Sequence, residues 1–288
     1  MFSVLKQLLV LFKLRIGVAM MVTTAMGVAA TPGPSLDMES LTLLLVAVLL
    51  AAGAAGGLNH YFDYDIDARM ERTKNRPFVL GTLPHSPWWL LFFATLLIIP
   101  CLVVGVVVNP LSALFVFLGA FFYGVVYTVW LKRRTWMNIV IGGLAGSFAV
   151  LAGTAAVEPT LNPLALSLAF ILFLWTPPHF WSLAIAIRDE YLAVGIPMLP
   201  VVAGKERAAQ AVVANTLLLV LASMLPAFFG LGWVYLLGAM AGGLFFLYRS
   251  ILLLRNPLPT NAMGSFYASL VQLGLLVVGA SVDGLFFV

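Results

Sequence analysis

Residues 41–77 read LTLLLVAVLLAAGAAGGLNHYFDYDIDARMERTKNRP, so an uncharged run from Leu41 to Leu58 continues directly into a segment crowded with acids and bases. About 20 apolar residues are enough for a helix to cross a bilayer. Charged residues held against the end of such a helix are costly unless they are partnered or functional. This stretch therefore predicts a transmembrane helix that ends in a polar site.

The composition of the whole chain is typical of a polytopic membrane protein. Of its 288 residues, 62% are hydrophobic and 9% are charged, and the mean hydropathy is +1.08. These values exclude a soluble protein, and we expect no nucleic-acid partner. We predict an all-α bundle of nine transmembrane helices around a central cavity, forming one integral membrane domain over residues 1–288. The predicted spans are 8–30, 41–62, 88–107, 111–131, 138–156, 163–187, 210–229, 232–254 and 264–286.

The basic residues predict the orientation of this bundle. Cytoplasmic loops retain Lys and Arg, and with nine spans and a cytoplasmic N-terminus all fifteen Lys and Arg fall on one side. The other side holds Asp37, Glu39, Glu158 and Asp283 and no base. Removing or adding one span in the middle would break this sorting. We therefore predict that the C-terminus lies outside and that the polar site faces the cytoplasm.

The acidic segment contains a spacing that suits a metal site. Asn59, Asp63 and Asp67 are four residues apart, so on a helix their oxygens form one stripe, whereas Asp65 points elsewhere. Carboxylates in a row repel each other unless they share a cation. Mg²⁺ prefers oxygen ligands and takes one or two carboxylates together with substrate phosphates. The stripe therefore predicts a Mg²⁺ site at the mouth of the bundle.

Basic residues near the stripe supply the groups that would hold a phosphate. Arg72 and Arg76 follow the stripe, and Lys132, Arg133 and Arg134 belong to the next cytoplasmic loop. Such side chains can bind the phosphate oxygens that a metal leaves free. A substrate with a phosphate head and an apolar tail would fit this mouth. The same bases can also be explained as a solvated helix end that obeys the positive-inside rule, and one of the three loop bases as a charge that only sets topology.

Four segments together resemble a known family. Residues 59–77 match the pattern N-x-x-x-D-x-x-x-D followed by R-T-x-x-R-P, which is the first aspartate-rich motif of the UbiA superfamily of intramembrane prenyltransferases. The other segments are YTVWLKRRTWMNIVIGGLAG at 127–146, WTPPHFWSLAIAIRDEY at 175–191 and GIPMLPVVAGKERA at 195–208. The combination resembles the branch of that superfamily that farnesylates haem, over roughly residues 10 to 280.

The resemblance implies a fold, a reaction and roles for particular residues. It implies a UbiA-like bundle in which farnesyl diphosphate binds with Mg²⁺ and haem b is the acceptor substrate. Asn59, Asp63 and Asp67 match the metal positions, and Arg72 and Arg76 match basic positions on the diphosphate side. The expected catalytic residues are Asn59, Asp63, Asp67 and Arg72. The bases of the second loop match as well. As further partners we expect a downstream haem-modifying enzyme or oxidase assembly proteins. The short segment before the first predicted span is not a long Arg- and Ser-rich transit segment, so we expect the cytoplasmic membrane of a prokaryote rather than an organelle.

Other positions match the family less completely. The superfamily usually has a second D-x-x-x-D motif after helix six, but this chain offers only the adjacent Asp189 and Glu190 as ligands for a second metal ion. His179 follows Pro177 and Pro178, which should free carbonyl groups toward the cavity. His179 is a candidate haem contact, as iron ligand or propionate partner, and the alternative is a histidine hydrogen-bonded to a neighbouring helix.

Three other functions compete with haem farnesylation. Prenyl transfer to an aromatic or quinone precursor would be favoured by a second D-x-x-x-D motif, which the sequence lacks. An ion-coupled transporter would place its ionisable residues near the bilayer midplane and would show paired broken helices. A non-catalytic haem-binding or assembly protein would not need the aspartate stripe.

The sequence departs from the family pattern in its fifth predicted helix. Residues 147–153 read SFAVLAG where the family more commonly carries a proline pair, which predicts a straighter fifth helix and a different acceptor pocket.

Overall fold

The computed structural model describes the backbone of residues 2–286, and this part of the chain is helical without strands. Eight helical segments of the described chain are long and apolar enough to cross a membrane, when Pro110–Leu131, Asn138–Val157 and Lys205–Phe229 are each counted as one segment. The first predicted span, 8–30, is instead divided at Phe12 and Lys13 into two helices, and only the 17-residue second one is a shorter apolar helix. The predicted nine spans thus correspond to eight long helices and one short one.

The helices are numbered in chain order. α1 to α4 are Phe2–Leu11, Leu14–Ala30, Met38–Phe62 and Tyr64–Asp67. α5 (Trp88–Val107) and α6 (Pro110–Phe121) follow, and α6 continues as a π-helix, Phe122–Leu131. α7 to α11 are Asn138–Gly142, Leu144–Val157, Pro163–Ala186, Arg188–Ala193 and Leu199–Val202. α12 (Lys205–Ala222), a 3₁₀ turn (Leu225–Phe229), α13 (Trp233–Arg255) and α14 (Pro259–Phe286) complete the described chain.

The long helices pack as a closed ring. Each contacts the next long helix along the chain, and α14 returns to pack against α2. Small residues allow close backbone approach at these contacts. A Cβ atom at Gly284 would collide with the carbonyl oxygen of Ala29, and one at Gly153 with the carbonyl oxygen of Thr24. The ring therefore depends on glycine where α2 meets α14 and α8.

The outer surface of the ring is apolar. On α5, for example, Val106 is 87% exposed and Leu102 is 65% exposed. In water such a surface would be a large unsatisfied apolar patch, whereas in a bilayer it contacts lipid tails. The chain is thus an integral membrane protein.

Two local features can be compared with the sequence-based expectations. Helix α9 continues through Pro177 and Pro178, and the Leu174 carbonyl that Pro178 cannot bond accepts a hydrogen bond from Asn215 Nδ2 of α12 at 2.6 Å. A neighbouring helix, rather than a cavity, therefore satisfies this freed carbonyl. The fifth membrane helix is continuous through SFAVLAG, and its interruption lies earlier, at Gly143, between α7 and α8.

Candidate active site

The predicted stripe is present and buried. Helix α3 ends at Phe62, and its i to i−4 hydrogen bonds continue through the short α4, because the amides of Asp63 and Asp67 donate to the carbonyls four residues earlier. Asn59, Asp63 and Asp67 are only 3%, 0% and 2% exposed. The Asp65 side chain is 57% exposed, as predicted for a residue off the stripe.

Each carboxylate of the stripe is paired with a base from another segment. Lys132, which directly follows the π-helix, donates to Asp63 Oδ2, and Arg76 donates to Asp67 Oδ2 at 2.5 Å. Burial raises the pKa of the Asp67 carboxyl, and the neighbouring Arg76 guanidinium opposes that effect. The pairing reduces the cost of holding two carboxylates in a water-poor site.

A third base, Lys13, reaches the stripe from the break between α1 and α2. Its backbone is in the left-handed region, with φ of 47°, which is uncommon for a residue other than glycine. Its ammonium group donates to Asn59 Oδ1 and to the Tyr123 hydroxyl, the latter at 2.8 Å. The sequence alone identifies Lys13 only as one of the fifteen basic residues that predict the orientation of the bundle. The signal that could have found it is its position inside the predicted span 8–30, where a charged side chain is uncommon unless it is functional.

The donor set of the stripe suits a hard divalent cation. It contains two carboxylates and an amide, and Asp63 Oδ1 is buried without a hydrogen-bond partner. No group of three or more His, Cys, Asp or Glu side chains forms a metal cluster among the residues that the structure describes. Two carboxylates are the number that Mg²⁺ commonly takes from protein when substrate phosphates complete its coordination. The residues therefore fit Mg²⁺ bound together with a diphosphate.

The remaining predicted bases lie outside this buried group. Arg133 forms a two-pronged ion pair with the exposed Asp65, at 2.6 and 2.9 Å, and its hydrogen bonds lower the pKa of the Asp65 carboxyl. Arg133 also donates to the Phe62 carbonyl at 2.7 Å. Arg72 and Arg134 are exposed. Of the predicted diphosphate bases, Arg76 and Lys132 are the two that form hydrogen bonds with the carboxylates of the stripe.

The residues considered for a second metal ion point in different directions. The Asp189 side chain is 81% exposed and pairs with Arg188 at 3.1 Å. Glu190 has a buried Oε2 atom without a hydrogen-bond partner. The two carboxylates therefore do not form a joint site in this structure.

His179 lies in a separate contact group between α9 and α14. Its Nδ1 atom is 2.6 Å from Ser269 Oγ, and its ring stacks on Trp175 and Phe266 with centroid distances of 4.2 and 4.5 Å. The side chain is 7% exposed. A hydrogen bond at Nδ1 fixes the ring orientation and directs Nε2 as the atom for a ligand.

Comparisons with known proteins agree with this fold. The sequence profile described as the UbiA prenyltransferase family matches residues 20–284. A protein named protoheme IX farnesyltransferase 2, from Paramagnetospirillum magneticum, is 53% identical over 98% of both chains. Protoheme IX farnesyltransferase of Gloeobacter violaceus is 40% identical over 96% of this chain and 91% of its own.

Solved structures show the same fold at low sequence identity. A structure described as a digeranylgeranylglyceryl phosphate synthase has a TM-score of 0.80 at 20% identity, covering 98% of both chains. A UbiA homolog from Archaeoglobus fulgidus bound to DMAPP and Mg²⁺ has a TM-score of 0.73 at 15% identity, covering 94% of this chain and 99% of that one. The apolar helices, the family profile and the relatives together define an integral membrane transferase. The chain belongs to the UbiA prenyltransferase family.

Proposed function

We propose that this transferase moves a farnesyl group from farnesyl diphosphate to a vinyl group of haem b, giving haem O. The observation that carries the proposal is the buried stripe of Asn59, Asp63 and Asp67 with Lys13, Arg76 and Lys132 beside it. The choice of donor and acceptor is supported by relatives named protoheme IX farnesyltransferase, which match nearly the whole chain.

The stripe is proposed to hold Mg²⁺ together with the diphosphate of the donor. The Archaeoglobus fulgidus homolog of the same fold, which was solved bound to DMAPP and Mg²⁺, supports this assignment. Mg²⁺, when bound, supplies positive charge that offsets the charge of the leaving diphosphate. Arg76 and Lys132 add further positive charge beside the leaving diphosphate. This charge stabilises the transition state most, because the negative charge on the diphosphate grows as the C–O bond breaks. Arg72, Arg133 and Arg134 stay predicted diphosphate ligands.

The proposed reaction has three steps. The allylic C–O bond of the donor breaks, and its electron pair leaves with pyrophosphate. The π electrons of the haem vinyl group then form the new C–C bond with the allylic carbon. Water adds to the resulting cation and loses a proton, which gives a hydroxyethylfarnesyl side chain. The apolar interior of the bundle assists the first step by keeping water away from the allylic cation.

We further propose that His179 contacts the haem, and that the active-site mouth faces the cytoplasm of a prokaryotic cell. The sorting of all fifteen basic residues to one side supports this orientation. The modified haem would then pass to a downstream haem-modifying enzyme or to oxidase assembly proteins.

Product analysis tests the proposed function. Purified protein in detergent is incubated with Mg²⁺, haem b and farnesyl diphosphate, and the haem fraction is analysed by mass spectrometry beside an Asp63→Ala control. We expect hydroxyethylfarnesyl haem from the wild type with Mg²⁺ only. Unmodified haem together with a prenylated aromatic acceptor would replace the haem assignment with transfer to an aromatic or quinone precursor.

A further inference from the structure

The segment that carries Lys132 to the stripe is wound as a π-helix over ten residues, Phe122–Leu131. π-helices are rare, are mostly single turns within α-helices, and occur frequently at functional sites. The winding persists to the end of the segment, since the Lys132 amide donates to the carbonyl of Tyr127, five residues earlier, at 2.9 Å. A ten-residue π-helix next to a buried charge cluster calls for a physical reason.

The winding places two particular side chains on the same face. Tyr123 and Thr128 are five residues apart, and on an α-helix they would point about 140° away from each other. In the π-helix both face the stripe. The Tyr123 hydroxyl accepts a hydrogen bond from Lys13 at 2.8 Å, and the Thr128 hydroxyl accepts one from Asn59 Nδ2 at 3.1 Å.

The Thr128 hydroxyl has one orientation available to it. It donates its proton to the Tyr123 carbonyl at 2.9 Å, so it meets Asn59 as an acceptor. The other hydrogen of Asn59 Nδ2 is donated to Asp63 Oδ2 at 2.7 Å, and Lys13 donates to Asn59 Oδ1. All polar groups of the Asn59 amide are therefore engaged, and its orientation is set from both sides.

We infer that Thr128 is a positioning residue that orients the Asn59 amide and, through it, the Asp63 carboxylate for binding of a metal-bound diphosphate. The inference rests on the proposed function only in assigning Mg²⁺ and the diphosphate to this stripe. Thr128 and Asn59 are 1% and 3% exposed, so water cannot readily replace a lost hydrogen bond. Outer partners of metal ligands commonly change metal affinity or activity about 10- to 100-fold when they are removed.

Three variants separate this role from a general packing role. Thr128→Val keeps the shape and removes the acceptor, whereas Thr128→Ser keeps the hydroxyl. The matched control is Thr23→Val, because Thr23 is also 1% exposed and its hydroxyl bonds, among the residues that the structure describes, only the Ala19 carbonyl of its own helix. The readout is binding of radiolabelled farnesyl S-thiolodiphosphate, a poorly ionising donor analogue, at a series of Mg²⁺ concentrations. Haem is not added.

For Thr128→Val we expect the Mg²⁺ concentration at half-maximal analogue binding to rise about 10- to 100-fold. Thr128→Ser and Thr23→Val should stay within about twofold of the wild type. Analogue binding by Thr128→Val at the wild-type Mg²⁺ concentration would overturn the inference, as would an equal loss in Thr23→Val. The binding assay contains no haem, so it is independent of the acceptor. If the wild type binds the analogue with Mg²⁺ here but does not farnesylate haem in the product analysis described above, the acceptor assignment is refuted and this inference stands.

Discussion

The ammonium group of Lys132 contacts the buried carboxylate of Asp63, although 69 residues separate them in the chain. The Asp63 side chain is 0% exposed and that of Lys132 is 12% exposed, so neither charge is well solvated. Removing one partner of such a pair leaves the other charge buried and uncompensated, whereas replacing both partners is often close to neutral. The pair therefore predicts different stability effects for single and double substitutions.

A double-mutant cycle tests this relationship. We expect each single variant, Lys132→Met and Asp63→Asn, to lower the free energy of unfolding, Lys132→Met by about 3 to 5 kcal/mol. The double variant Asp63→Asn with Lys132→Met should recover most of that loss and stay inactive, because both the carboxylate and the base are needed at the site. Unfolding in detergent and pyrophosphate release give the two measurements. Additive stability effects would show that the contact contributes no coupling energy.

The exposed pair of Arg133 and Asp65 should behave differently. Hydrogen bonds from Arg133 lower the pKa of Asp65 in the folded state, so the pair stabilises the fold above the unfolded-state pKa of Asp65. That contribution is lost as the pH falls through the lowered folded-state pKa. The two side chains are 41% and 57% exposed, so we expect Arg133→Gln to cost less than about 1 kcal/mol at about pH 7.

Unfolding measurements from neutral to acidic pH check this prediction. The difference between the wild type and Arg133→Gln should shrink in acid to what the hydrogen bond from Arg133 to the Phe62 carbonyl contributes. The control is Arg134→Gln, which changes an exposed base of the same loop. A difference that grows in acid would mean that Arg133 stabilises the fold through a group other than Asp65.

The contacts of His179 predict separate effects on the two substrates. If Nε2 of His179 holds the haem, His179→Ala should weaken haem binding at least about tenfold, and Ser269→Ala should weaken it about tenfold because the ring loses its orienting partner. Binding of the farnesyl S-thiolodiphosphate analogue should not change. Titration of the haem absorption band measures the first effect, with His85→Ala as a histidine control in an exposed position. Unchanged haem affinity in both variants would assign His179 to helix packing.

Much of the site could be predicted because it is encoded by local spacing. The positions of Asn59, Asp63 and Asp67 follow from helix geometry alone, and so does the exclusion of Asp65 from the stripe. The order of the long membrane helices likewise follows from apolar length, whereas the predicted count of nine is approximate, because eight segments of the described chain are long enough to span a membrane. The break in the first span lies at Phe12 and Lys13. Lys13 itself has a left-handed backbone conformation, which the sequence does not predict.

The parts that were not predicted depend on contacts across the bundle. Lys13 looked like one topology charge among many, and only the fold brings it to Asn59. The π-helical winding has no residue signature in Phe122–Leu131, so the role of Thr128 could not be derived from spacing. The sequence does not distinguish Lys132 from Arg133 and Arg134, because the three bases are adjacent. Only the geometry at the end of the helix determines which of the three side chains points toward the stripe.

A residue far from the stripe provides a test of the fold itself. Asp283, near the end of α14, is 1% exposed and accepts a hydrogen bond from the backbone amide of Tyr235 at 2.7 Å. Helix α13 begins at Trp233, so Asp283 caps the start of a neighbouring helix with a negative charge. In the sequence it was counted only as an acid on the outer side.

We expect Asp283→Ala to lower the free energy of unfolding by about 1 to 2 kcal/mol, since a buried amide at the start of α13 loses its acceptor. Asp283→Asn retains an acceptor oxygen and loses only the charge, so its cost should be about 0.3 to 1 kcal/mol. Both variants should keep wild-type Mg²⁺ dependence, because Asp283 contacts α13 rather than the stripe. Equal destabilisation by Ala and Asn would assign the effect to the charge alone, and an altered Mg²⁺ dependence would show that packing of α13 on α14 is transmitted to the active site.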